Sequence, residues 1–160
     1  LDYHYDLSER DVQREAFAKQ LEVAKAHKIP VVIHEREACK DVLDILRASG
    51  VHDGVVHCFG GSKETARELL DMGFHISFTG VITFDNARKA LEVVPYIPAD
   101  RIMVETDCPY LTPIPFRGKR NHSGYLGYTV DKMAQLRGIS FEECAALTFE
   151  NGVRFYGIHE

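Results

Sequence analysis

Arg101-Ile102-Met103-Val104-Glu105-Thr106-Asp107 is a short apolar run that ends on two carboxylates. Two more runs share its design, Pro30-Val31-Val32-Ile33-His34 and Gly54-Val55-Val56-His57. Their apolar parts are only a few residues long and rich in valine and isoleucine, which suits a strand buried on both faces. Where strands alternate with helices around a parallel barrel, functional groups come from the carboxyl ends of different strands. Three metal-binding side-chain types placed this way, far apart in sequence, point to one metal centre assembled by the fold.

Outward from these runs, apolar residues at Val12, Ala16, Phe17, Leu21, Val23 and Ala24 repeat near the helical period. They predict a helix over 9–27, with Ser8 placed to cap its first turn and Pro30 beyond its end. A second helix is expected over 37–48, with Val42, Leu43, Ile45 and Leu46 turned inward and Gly50 as its stop. Ser62 starts a third helix ending near 72–73, 74–78 reads as a strand, and 86–94 as another helix. Residues 108–122 form a loop rich in proline and basic residues. Helices are expected over 124–137 and 141–147, the latter opened by a Ser140/Glu143 capping box, and a short terminal turn begins near Glu150.

Strand starts about 20 to 30 residues apart fit right-handed βα units. The predicted fold is α/β, with four full strands plus the tail of another at 1–4. A complete (β/α) barrel takes about 250 residues and eight strands. Residues 1–160 therefore read as part of a single domain, roughly the C-terminal three-fifths of a TIM barrel. The opening at Leu1, without Met, reads as a chain cut from a longer protein. The alternative is an open doubly wound sheet, weakened because no Gly-rich phosphate loop follows a strand.

Composition narrows the class. Apolar content of 45% and charged content of 27% over 160 residues are ordinary for a soluble globular domain. No apolar run is long enough to span a bilayer, so a cytoplasmic setting is expected. Cys39, Cys58, Cys108 and Cys144 form no CxxC pair and are expected to be reduced, with Cys58 and Cys108 buried as small hydrophobes. A net charge of −5 excludes a protein that coats nucleic acid electrostatically, but not an enzyme gripping one or two phosphates locally.

Taken singly, His34 and His57 fit hydrogen-bonded structural histidines as well as ligands. Glu105 and Asp107 fall on the same side of an extended segment, where a buried carboxylate pair needs a cation. Arg101, Arg117 or Arg120 is the bland source of that cation, and a metal is the other. The loop after Asp107 should overhang the same mouth. There Arg117, Lys119 and Arg120 are candidates to hold phosphate oxygens, and Phe116, Tyr110 or Tyr125 to stack a base; a merely stiffened, solvated loop is the competing reading. His27, His52, His122 and His159 read as surface positions, His75 as facing away from the barrel interior, and His4 as ambiguous.

The chain resembles the TatD family of metal-dependent deoxyribonucleases, within the amidohydrolase-like barrels. The likeness rests on stretches quoted in the family's order, which span the chain nearly end to end. They are Leu1-Asp-Tyr-His-Tyr-Asp6, Pro30-Val-Val-Ile-His34, His57-Cys-Phe-Gly-Gly-Ser62, Ile76-Ser-Phe-Thr-Gly80, Glu105-Thr-Asp-Cys-Pro109 and Pro115-Phe-Arg-Gly-Lys-Arg-Asn121. The resemblance implies a two-metal hydrolase, using magnesium or manganese with zinc also compatible, that cleaves DNA phosphodiester bonds. It implies His34 and His57 as ligands of one metal and Asp107 as ligand of the other, with Asp107 also orienting the attacking water. Glu105 would fix Asp107 or a bound water. A histidine pair and a glutamate that complete the family's site would lie upstream of Leu1. His122-Ser-Gly-Tyr125 departs from the acidic residue and proline common there in the family.

Two other readings stand beside this one. The same barrel and metal could serve a deaminase or an amide or ester hydrolase. Alternatively, these 160 residues alone are weak or inactive as an enzyme and form a non-catalytic module that self-associates through exposed strand edges.

Overall fold

The structure is a computed structural model and describes residues 1–158; the surface position expected for His159 lies outside the described residues. Four parallel strands, β1 (Val31–Ile33), β2 (Gly54–Val56), β3 (His75–Phe78) and β4 (Ile102–Val104), lie side by side in chain order. Val32 pairs with Val55, Val56 with Ile76, and Phe78 with Val104. Parallel neighbours require the chain to return outside the sheet between strands, so all carboxyl ends face one way.

The helices are α1 (Arg10–His27), α2 (Cys39–Ser49), α3 (Lys63–Asp71), α4 (Arg88–Val93), α5 (Leu126–Arg137) and α6 (Phe141–Tyr156). Helix α1 packs on α2, α2 on α3, α3 on α4, and α5 on α6, while α5 and α6 both reach β4. The main core joins Ile33, Val56, Ile76, Phe78 and Ile102 of the sheet to buried residues of the helices, among them Leu21, Leu46, Leu69 and Met133. Gly54 is required by this packing. A Cβ there would lie 2.6 Å from the Phe74 ring and 2.7 Å from a Val31 methyl.

Several local expectations change. Ser8 does not cap α1; Glu9 occupies that position without a side-chain cap, and the Ser8 carbonyl instead accepts from Gln13 Nε2 at 2.9 Å. Residues 1–4 add no full strand, only a parallel bridge between Asp2 and Arg36. Strand β1 is covered on one face only, because Ile33 is buried while Val32 is 58% exposed. Residues 80–83 form a 3-10 turn, and the helix expected over 86–94 shrinks to α4.

The helix beginning at Phe141 does not stop at 147; α6 continues to Tyr156. Asn151-Gly152 reads as a breaker, yet the buried Asn151 amide donates to the Ala99 and Ile102 carbonyls, both at 2.7 Å. That tie to the start of β4 keeps the helix running.

The amino ends of the strands carry a separate polar cluster of Asp53, His75, Asp100, Arg101 and Arg154 beside Phe155. The His75 ring lies edge-on to Phe155, with centroids 5.2 Å apart, and its buried Nδ1 has no partner among the described residues. Burial, reinforced by the Arg101 charge, lowers its pKa. Arg101 donates to the Gly73 carbonyl at 2.6 Å, far from the role of neutralising Glu105 or Asp107.

Candidate metal centre

The parallel ladder continues one residue past the strands and sets the candidate ligands side by side. The His57 N–H donates to the Ile33 carbonyl at 3.0 Å, and the Glu105 N–H to the Phe78 carbonyl at 3.1 Å. Beyond these bonds, His34 Nδ1 and His57 Nε2 approach to 3.2 Å. Both imidazoles open into a cavity of about 330 Å³, whose wall also includes Cys58, Asp107 and Leu111. A larger groove of about 610 Å³ between α5 and α6 is lined mainly by aliphatic and aromatic side chains and holds no His, Cys, Asp or Glu. The candidate ligands line the smaller cavity.

Glu105 and Asp107 are not used alike. Glu105 Oε1 accepts the Cys58 N–H at 2.6 Å and lies 3.3 Å from His57 Nδ1. Burial pushes the Glu105 carboxyl upward, but His57 and the Cys58 N–H outweigh it and hold it below the ordinary carboxylate value. The same carboxylate raises the His57 imidazole above its ordinary value, against the opposing effect of partial burial. Glu105 therefore fixes His57, not Asp107. With Nδ1 directed at a carboxylate, Nε2 is the nitrogen left to bind a cation. The Asp107 side chain has no hydrogen bond or ion pair among the described residues and lies on the cavity wall.

Cys58 adopts a left-handed conformation, φ 48°, which turns its N–H toward Glu105. Its Sγ lies 3.1 Å from Thr79 Oγ1, and burial pushes the thiol up to about 11. Cys108 is exposed rather than buried, and all four cysteines are free thiols.

Asp2 is a functional candidate that the strand-end pattern does not reveal. Its Oδ2 lies 3.0 Å from His34 Nε2, and its Oδ1 accepts the His4 and Tyr5 N–H groups, each at 3.0 Å. Gln13 pins the Asp2 peptide from α1, accepting from its N–H at 2.9 Å and donating to its carbonyl at 3.1 Å. The only sequence signal was the position of Asp2 at the head of a short acidic, aromatic stretch. His4 pairs with Glu37 at 2.7 Å, which resolves its ambiguity as a surface contact.

The basic loop follows Asp107 but does not wall the cavity with its cations. Leu111 is its contribution to the wall. The Arg117 guanidinium covers the Phe84 ring at 4.1 Å, Lys119 Nζ lies 5.5 Å from the Phe116 ring, and Arg120 is exposed. Phe116 and Tyr125 already stack on each other at 4.5 Å, while Tyr110 stays 70% exposed. The loop is pinned inside by Asn121, which donates to the Tyr110 carbonyl at 2.7 Å, and it rests on Gly80, where a Cβ would meet the Leu111 carbonyl at 2.5 Å.

Two imidazole nitrogens 3.2 Å apart can each reach one cation at the usual 2.0–2.1 Å bond length. Asp107 supplies a hard oxygen donor on the same wall. The donor set therefore fits a divalent ion, although among the described residues no three His, Cys, Asp or Glu side chains form a closed ligand cluster.

Comparison with known proteins agrees with this chemistry. The family profile described as TatD related DNase matches residues 1–157. An uncharacterized metal-dependent hydrolase of Bacillus subtilis, YabD, is 48% identical over 99% of this chain and 63% of its own length. Another from Escherichia coli, YcfH, is 42% identical over 99% of this chain and 60% of its own length. The crystal structure of YJJV, a TatD homolog from Escherichia coli, superposes with a TM-score of 0.93 at 26% identity, covering 99% of this chain and 62% of that one. The chain thus spans about three-fifths of the length of the curated relatives it matches. It belongs to the TatD family of metal-dependent hydrolases.

Proposed function

We propose that the protein is a metal-dependent deoxyribonuclease that hydrolyses DNA phosphodiester bonds, with His34, His57 and Asp107 holding its divalent ions. The observation that carries this reading is the pair of facing imidazoles, 3.2 Å apart, on a cavity wall that also bears an unengaged aspartate. Two ions, magnesium or manganese, fit the mixed nitrogen and oxygen donors, and zinc is compatible with them. The same reading takes residues 1–160 as part of one (β/α) barrel domain and places the protein in the cytoplasm. The parallel, sequentially ordered sheet supports the first point and the four free thiols support the second. No described helix is long and apolar enough to cross a membrane.

When bound, the cation lowers the pKa of a water molecule and offsets the charge on the phosphate. Asp107 orients that water and takes its proton. Glu105 keeps the His57 ring turned so that Nε2 faces the cavity, and Asp2, by engaging His34 Nε2, leaves His34 Nδ1 facing it. The water oxygen bonds to phosphorus, the P–O ester bond breaks, and the departing oxygen takes up a proton from solvent, to which Asp107 returns the one it accepted. In this reading Arg117, Lys119 and Arg120, outside the cavity wall, meet phosphates further along the strand.

The test is a nuclease assay of the protein as encoded by its own gene, with magnesium or manganese. Asp107→Asn and His57→Ala are each expected to lower cleavage roughly a hundredfold or more. Unchanged cleavage in both variants rejects the assignment. Turnover of an amide or an amino-substituted base, with DNA left intact, places the protein among the neutral-substrate hydrolases instead.

A further inference from the structure

We propose that Arg36 is the phosphate-holding residue of this cavity, presenting its guanidinium to the non-bridging oxygens of the phosphodiester to be cleaved. This rests on the hydrolase reading above and names the cation that the basic loop does not supply. Among the described residues Arg36 is the sole Lys or Arg on the cavity wall, beside His34, His57 and Asp107.

The tripeptide Glu35-Arg36-Glu37 looks self-neutralising in sequence, and the structure shows that it is not. Glu35 Oε1 accepts the Ala38 N–H at 2.8 Å, at the entrance to α2. Glu37, in a left-handed conformation with φ 56°, turns its carboxylate to His4 Nδ1 at 2.7 Å. Glu35 and Glu37 share the cavity wall with Arg36, but each carboxylate already has another partner, and the ion pairs among the described residues leave Arg36 out.

What Arg36 has instead is a platform. Its guanidinium carbon lies 4.7 Å from the centre of the Tyr5 ring. Packing against an aromatic face orients a guanidinium while leaving its edge N–H donors free for a planar anion. The backbone is clamped too, with the Arg36 N–H on the Leu1 carbonyl at 3.0 Å and its own carbonyl accepting from Tyr3 at 2.9 Å. Its charge is felt at the Cys58 thiol across the cavity, where it acts to lower the pKa. An exposed, aligned and unpaired guanidinium at the mouth of a cavity bearing metal-type ligands matches a fork for phosphate oxygens. The loop cations lack that position, since Arg117 lies over Phe84 and neither Lys119 nor Arg120 reaches the wall.

The experiment uses the protein encoded by its own gene and two readouts. Inorganic phosphate is titrated without added metal and followed by phosphorus NMR. In parallel, KM and kcat are measured on a short single-stranded DNA. Arg36→Ala is expected to weaken phosphate binding and to lower kcat/KM on DNA by roughly ten- to a hundredfold, the loss expected for a charged hydrogen-bonding partner. Arg36→Lys keeps the charge without the fork, so it should recover part of the phosphate binding and less of the cleavage. Should Arg36→Ala fail to fold, as judged by circular dichroism, Arg36→Lys carries the test alone. Phosphate affinity equal to wild type in the folded variant overturns the proposal, as does a wild-type protein that binds no phosphate. If wild type binds phosphate through Arg36 but cleaves no DNA, the nuclease reading fails and the anion site stands.

Discussion

Glu105 reaches across the sheet rather than along its own strand, taking the Cys58 N–H at 2.6 Å and facing His57 Nδ1 at 3.3 Å. Cys58 adopts a left-handed backbone to make that bond, a conformation that costs about 1 kcal/mol or more in a residue other than glycine. The strain is offset by a fixed histidine. Glu105→Gln keeps the shape and an acceptor oxygen but removes the charge that favours a protonated Nδ1. Its affinity for manganese should fall roughly 10- to 100-fold, the usual effect of losing a ligand's orienting partner. Calorimetric titration measures this, and equal affinity in the two proteins would remove Glu105 from the site. His34, His57 and Asp107 were legible in sequence because strand ends converge in a parallel sheet. The placement of Asp2 and Arg36 on this side of the sheet and the contact of Glu105 with His57 were not. Each depends on a neighbour brought alongside by pairing between distant segments, Asp2 with Arg36 and Glu105 with Cys58. Spacing along one strand says which side a carboxylate leaves from, not which adjacent strand it meets.

Helix α6 shows how far local signals carry and where they stop. Its start was written in Ser140 and Glu143, and the structure has both halves of that capping box. The Glu143 carboxylate accepts the Ser140 N–H at 2.8 Å, which holds its pKa below the ordinary value of 4.5. A depressed folded-state pKa means the unfolded chain binds the proton more readily. The stabilisation is therefore fully present above about pH 4.5 and is lost as pH falls through the lower folded value. Glu143→Gln should flatten the stability profile across that acid window, as read from urea unfolding at a series of pH values. An unchanged acid slope in the variant would show that the box carries no such linkage. The far end of α6 was unreadable because Asn151-Gly152 has turn chemistry, and only the distant carbonyls of Ala99 and Ile102 show why Asn151 belongs in a helix. In α1, Ser8 was a sound local choice for a cap, but the chain is steered there by Gln13 holding Asp2 and Ser8 together.

At the level of the whole molecule, the alternation of strands and helices was legible throughout, because each β run is short, apolar and bracketed by an amphipathic helix. What surrounds the sheet was not. Strands β1 and β4 are its two edges, and Val32, Phe149 and Tyr156 are 58%, 72% and 57% exposed. Unpaired edges and apolar surface of this kind favour association. The isolated 160-residue chain is therefore expected to self-associate, with sedimentation velocity showing species heavier than its 18.1 kDa monomer. A single monomeric boundary across micromolar concentrations would contradict this. The parallel arrangement also divides labour between the two ends of the sheet. His34, His57 and Asp107 gather beyond the carboxyl ends, while Asp53, His75, Asp100 and Arg101 cluster around the amino ends. Exchange of the loops that leave the carboxyl ends would thus retune the chemistry as separate cassettes, each anchored in its own βα unit. The opposite end offers a place to attach a surface, a label or a fused protein without crossing the reactive face.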